Sequence, residues 1–116
     1  SINIGFNDTF HAFQGVTSIL TLMEIAVKPL QQGRPDIADE YEILLASFPN
    51  LTVAQHDQAT ARRAAELRAA HRLRPADALQ MASCLRQGAT AFLTNDTGLR
   101  RVTEIQVVLL EDYFNG

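Results

Sequence analysis

Three acids stand out by where they fall: Glu24 in "LTLMEI", Asp77 in "RPADALQMAS" and Asp96 in "FLTND". On a helix Asp77 shares its face with Met81 and Cys84, an oily direction for a charge to take. A carboxylate pushed toward a core requires a partner or a metal. Carboxylate oxygens suit Mg²⁺ or Mn²⁺, which keep several waters and take a few carboxylates together with substrate phosphates. Acids gathered without a cation repel one another. A divalent ion among them activates water and neutralises charge that develops on a phosphodiester.

Taken singly, each acid has a plainer account. Glu24 stands three residues after Thr21, a capping-box spacing, with Lys28 at i+4 for an ion pair. Asp77 falls in a first helical turn, where a negative charge complements the helix dipole. Asp96, in "TNDTG", is a common turn or N-cap residue. The other chemistries are poorly served. His11, His56 and His71 have neither the i, i+4 spacing nor the cysteine partners of a zinc site. There is no glycine-rich phosphate loop, and no serine or cysteine in a recognisable nucleophile setting.

The elements that would position the acids alternate. "VTSILTL" (16–22) reads as a buried strand turning into a helix, closed by Pro29 and Gly33. Residues 36–48 form an amphipathic helix with Ile37, Tyr41, Leu44, Leu45 and Phe48 on one stripe. A strand follows at 50–55. An arginine- and alanine-rich helix starts near Asp57 and is interrupted at Pro75. A new helix runs over 76–87 with Gly88 placed to cap it, and strands follow at 90–95 and 105–110. This order predicts an α/β fold with a parallel sheet and crossover helices. In such folds ligands bind where the strands end, so the three acids are expected to meet on one sheet edge.

The 116 residues are one domain's worth. The composition, 47% hydrophobic and 20% charged, is that of a globular protein. No apolar run is long enough to span a bilayer. The lone Cys84 cannot form an internal disulfide, which suits a reducing cytoplasm. The net charge of −3 hides an asymmetry, because residues 62–101 carry eight arginines against Glu66, Asp77 and Asp96. Guanidinium groups suit bidentate phosphate contact, and Arg72, Arg74, Arg100 and Arg101 are the candidates to hold an RNA backbone. A solvated helix surface explains the same arginines equally well.

"VTSILTLMEI" with Glu24, "RPADALQMAS" with Asp77 and "AFLTND" with Asp96, followed by "VVLL", resemble the PIN domain, specifically the VapC-like ribonuclease toxins of toxin–antitoxin modules. The resemblance covers about residues 16–112. It implies a parallel-sheet three-layer fold, Mg²⁺- or Mn²⁺-dependent cleavage of RNA, and an antitoxin protein as partner. Glu24, Asp77 and Asp96 would be catalytic, metal-binding acids. The family opens with a strand ending in Asp-Thr or Asp-Ser and then a long helical stretch. Here "INIGFNDTF" offers Asp8-Thr9, which makes Asp8 a fourth metal candidate, but only "HAFQG" separates it from the next strand. A parallel crossover needs about a dozen residues. The first strand–helix unit is therefore expected to be missing or replaced, with residues 1–15 an atypical opening to a single domain. Loss of a central strand would leave open edges, and open edges invite a homodimer. Two other readings stay open: an inactive remnant that binds protein or oligomerises, and a plain α/β domain whose acids only cap helices and turns.

Overall fold

The computed structural model describes residues 3–9, 12–47 and 50–110; the side chains of residues 7–9 and 12–14 lie outside that description. Its strands are β1 (Asn3–Thr9), β2 (Ala12–Ser18), β3 (Leu51–Ala54), β4 (Ala91–Thr94) and β5 (Gln106–Leu109). Its helices are α1 (Ile19–Gln31), α2 (Pro35–Ser47), α3 (Gln58–His71) and α4 (Pro75–Arg86), with a 3₁₀ turn at Thr97–Arg101. The order β3-β2-β1-β4-β5 makes one mixed sheet. β2 pairs parallel with β3 and β4 with β5, while β1 is antiparallel to both β2 and β4. Four strands thus run one way and β1 alone runs the other. The fold is α/β, as the alternation of elements implies.

The departure lies in β1. It ends at Thr9 and β2 begins at Ala12, a separation that permits a hairpin and forbids a crossover. The strand–helix unit expected at the start is replaced by a reversed strand at the sheet's centre. The open central edges anticipated from the sequence are therefore filled from within the chain, and that ground for expecting a homodimer falls. Gly5 lets β1 sit there. A Cβ at this position would lie 2.6 Å from Cys84 Sγ and 2.7 Å from Cys84 Cβ, so only glycine lets α4 come this close.

α4 lies on β1 and β2, and α3 packs on α4. Leu67, Leu73, Ala78, Met81, Phe92 and Leu99 form the centre of the core between them. Cys84 is part of this core, and burial pushes its thiol up to about 12, which makes it a packing residue and no nucleophile.

Capping follows the local sequence at two helices and departs from it at a third. Asp57 caps α3, accepting from the Thr60 backbone at 2.8 Å, and Gly88 follows α4 at φ +84°. The Thr21–Glu24 capping box is not formed. Ser18 caps α1 by accepting from Leu20 N, and Thr21 lies inside the helix, buried, bonded to Thr17 Oγ1 at 2.8 Å. Nor is the α2 stripe buried as a whole: Ala38 is the buried residue, and Tyr41 and Leu44 are exposed. Phe48, expected on that stripe, lies outside the described residues. No described helix is long and apolar enough to cross a membrane.

Candidate acidic site at the carboxyl edge of the sheet

Because β1 is reversed, its first residues lie at the edge where β2 and β4 end. Asn3 is opposite Thr94, the last residue of β4. Asp8 is five residues further along the extended β1, opposite Phe13. The register thus carries the Asp8 backbone away from this edge, and its side chain lies outside the described residues.

Asp77 enters from the first turn of α4, two residues after Pro75 sets the helix start. It does not cap that helix: the N-cap is Arg74, with no side-chain capping bond. The Asp77 side chain is only 8% exposed, and it accepts from Asn3 Nδ2 at 3.4 Å and from Arg74 Nε at 3.2 Å. Asp96 follows β4 and has two roles. Its Oδ1 accepts from Gly98 N at 2.9 Å, capping the 3₁₀ turn, while Oδ2 accepts from Arg74 Nη2 at 3.1 Å.

The bonds close a ring. Asn3 links Asp77 to Thr94, whose Oγ1 donates to Asn3 Oδ1 at 2.7 Å and accepts from Asp96 N at 3.1 Å. Arg74 then joins Asp96 back to Asp77. Asn3 Nδ2 also donates to Gln80 Oε1, and Gln80 Nε2 donates to Thr21 Oγ1 at 3.4 Å. Asn3, Gln80 and Thr94 are essentially fully buried. A network satisfied at each of these positions in a low-dielectric setting fixes the carboxylates in place.

The structure therefore brings Asp77 and Asp96 to one guanidinium. Glu24 stands one turn beyond Thr21 on α1, half-buried, with Oε2 shielded from solvent. Among the described residues no group of three or more His, Cys, Asp or Glu side chains is spaced to hold a metal. Two carboxylates facing one cation still fit Mg²⁺ or Mn²⁺, which ask for one or two from the protein when phosphates and water supply the rest.

Of the arginines proposed for RNA, Arg74 is engaged by the two acids and Arg101 by backbone. Arg101 donates to the carbonyls of His71 (2.7 Å), Arg72 (3.3 Å) and Gly98, tying the α3–α4 connection to the 3₁₀ turn. Arg72 ends α3 in the left-handed region at φ 56°, and its side chain is exposed, as is that of Arg100. His71 adds a second tie, Nε2 to Glu104 Oε1 at 2.6 Å. Burial raises the Glu104 carboxyl, but hydrogen bonds from His71 and Thr103 outweigh it, leaving it below the ordinary value.

A PIN-domain family model matches residues 6–105. The chain belongs to the PIN domain family. No curated protein and no solved structure matches it. Membership makes a nuclease-type function the coarse assignment, and PIN nucleases act on nucleic acid, generally with divalent metals. Within this PIN domain the ring gives Asp77 and Asp96 a shared setting.

Asn3 was missed from the sequence. The signal was present: a polar residue alternating with Ile2 and Ile4, in a segment too close to β2 for anything but an antiparallel return. Asn3→Asp is expected to set a third carboxylate against Asp77. Its melting temperature in EDTA should fall by about 5–10 °C, the size of a one- to two-kcal/mol loss in a domain this small. Saturating Mn²⁺ should recover more of the melting temperature than it adds to the unaltered chain. Identical melting of the two proteins in both buffers would show that position 3 does not face the acids.

Proposed function

We propose that this PIN domain is a divalent-metal-dependent endoribonuclease, with Mg²⁺ or Mn²⁺ held by Asp77 and Asp96 and with Glu24 as the third acid. The observation that carries the reading is the ring joining two carboxylates, from separate elements, around one cationic group. When bound, the metal supplies a Lewis acid that lowers the pKa of water and neutralises charge on the scissile phosphate.

The chain's own residues do the positioning. Asn3 and Thr94 hold Asp77 and Asp96 in register, so the two carboxylates need little reorganisation to act together. Buried Gln80 braces Asn3 from the second turn of α4. The exposed guanidinium groups of Arg72 and Arg100 offer contacts to the RNA backbone, which fix position and carry no sequence information.

The resemblance to VapC-like toxins adds the finer parts, the toxin of a toxin–antitoxin pair with an antitoxin partner; the lone Cys84 suits a cytoplasmic setting, and a homodimer rests on surface alone. Apolar surface supports association. Ile19, Met23, Val27 and Leu30, three or four residues apart on α1, are exposed, and so are Tyr41, Ile43 and Leu44 of α2; large apolar surfaces mark interaction sites.

The test is incubation of the purified chain with single-stranded RNA in Mn²⁺ and, separately, in EDTA. Cleavage in Mn²⁺ alone, with RNA binding that weakens as salt rises, is the expected result. Absence of cleavage and of Mn²⁺ binding would transfer the assignment to a second reading, an inactive PIN module that binds protein. Asn3, a neutral amide at the centre of the acidic edge, favours that second reading.

A further inference from the structure

Arg74 occupies the place a cation would take. One edge of its guanidinium serves both acids, Nε to Asp77 and Nη2 to Asp96. The three side chains differ sharply in freedom: Arg74 is 72% exposed, against 8% for Asp77 and 26% for Asp96. The carboxylates are held by Asn3 and the Gly98 amide, and Thr94 holds the Asp96 backbone, so the arginine is the member able to leave. Its departure does not unravel α4. Arg74 makes no side-chain capping bond, and its backbone is extended, at φ -66° and ψ 151°. Pro75 fixes the helix start and favours that extended conformation in the residue before it. Only the arginine end of the pair is open to solvent, and a divalent ion takes its place, so the exchange leaves no buried carboxylate unpaired.

A guanidinium and a divalent ion cannot both sit between these carboxylates, because their charges repel. With Arg74 in place the trio carries one net negative charge. With a divalent ion in its stead the two acids are neutralised and Arg74 is released with its charge uncompensated. A free guanidinium fork at the rim of this site matches a phosphate bidentately. Arg101, by contrast, is held by three backbone carbonyls.

Building on the nuclease reading, we propose that Arg74 is a positioning residue that exchanges between the Asp77–Asp96 pair and an RNA phosphate, so that metal and RNA enter the site together. In the absence of RNA, Arg74 competes with the metal. When RNA binds, the phosphate draws Arg74 out and the carboxylates become available. The coupling is reciprocal: metal should tighten RNA by the factor by which RNA tightens metal.

The test is calorimetric titration of Mn²⁺ into the full chain, Arg74→Gln and Asp77→Asn, each with and without a saturating 2′-O-methyl RNA oligonucleotide that cannot be cleaved. Without RNA, Arg74→Gln should bind Mn²⁺ roughly threefold to tenfold more tightly than the unaltered chain, the range of one or two exposed ion pairs. RNA should tighten Mn²⁺ for the unaltered chain by a larger factor than for Arg74→Gln, the excess being similar to the gain from the substitution, while Asp77→Asn binds poorly in both conditions. Equal or weaker Mn²⁺ binding by Arg74→Gln, with Asp77→Asn still defective, would overturn the exchange and make Arg74 a fixed tie; the carboxylate site would stand. Failure of the unaltered chain and of Arg74→Gln to bind Mn²⁺, with or without RNA, would overturn the metal-dependent reading and the exchange with it.

Discussion

Asp77→Asn is expected to lower Mn²⁺-dependent RNA cleavage by at least about a hundredfold, the upper end of what losing even an outer partner of a metal costs. Asparagine keeps the volume and an acceptor oxygen at a site that is almost fully buried. The buried bond from Asn3 Nδ2 can persist on the amide oxygen, while the amide nitrogen faces Arg74 Nε and that bond is lost, so the buried side of the ring keeps its shape. What disappears is the formal charge, and with it half the attraction for a cation. Stability should change little, because the lost ion pair reaches out to a largely exposed arginine. Such pairs contribute about 0–1 kcal/mol. Circular dichroism and melting would establish that the variant is folded. A gel assay over a range of Mn²⁺ concentrations would then give the loss. Cleavage at the unaltered rate by folded Asp77→Asn would move the active carboxylates elsewhere in the chain.

Gly5→Ala should be the most damaging small substitution in β1. The new methyl would meet Cys84 Sγ at 2.6 Å, Cys84 Cβ at 2.7 Å and Ala89 Cβ at 3.1 Å. A side-chain rotation can move the sulfur, but Cys84 Cβ is fixed to the α4 backbone. Either α4 lifts from the sheet or β1 shifts. Overpacking of this kind costs about 3 kcal/mol at the upper end of its usual range, which would lower the melting temperature by roughly 10–20 °C. The damage should reach the acids, because Asn3 is two residues away on the same face of β1. Combining Gly5→Ala with Cys84→Ala removes the sulfur and leaves the Cβ contact, so about 1 kcal/mol should return. A double variant no more stable than Gly5→Ala would locate the strain elsewhere. A Gly5→Ala chain as stable as the original would mean that β1 does not lie under α4, and the placement of Asn3 would fall with it.

These two substitutions also separate what the chain announces locally from what it does not. The alternation of elements was legible because helix and strand leave different periods and punctuation. Asp57 caps α3, Pro75 starts α4 and Gly88 follows it by virtue of backbone chemistry that acts over a few residues. The segments around Glu24, Asp77 and Asp96 carried the resemblance to the PIN family, whose match spans residues 6–105. Where the chain offered two local solutions, the sequence misled. Thr21–Glu24 has the spacing of a capping box, yet Ser18 already ends β2 and supplies the cap, which sends Thr21 inward to Thr17 and Gln80.

The composition of the site was another matter. The sequence by itself determined which carboxylates follow strands or open helices, and that a parallel first crossover could not form across so short a segment. It could not determine where in the sheet the reversed opening strand lies, because its second neighbour, β4, comes from far away in the chain. Only the tertiary structure decided that β1 is reversed between β2 and β4. That one reversal carries the Asp8 backbone toward the far end and brings Asn3 to the acidic edge. It decided equally that Arg74, read from sequence as a phosphate contact, lies between Asp77 and Asp96. The contact joins residues 22 positions apart through the ends of α4 and β4, a distance over which local sequence has no hold.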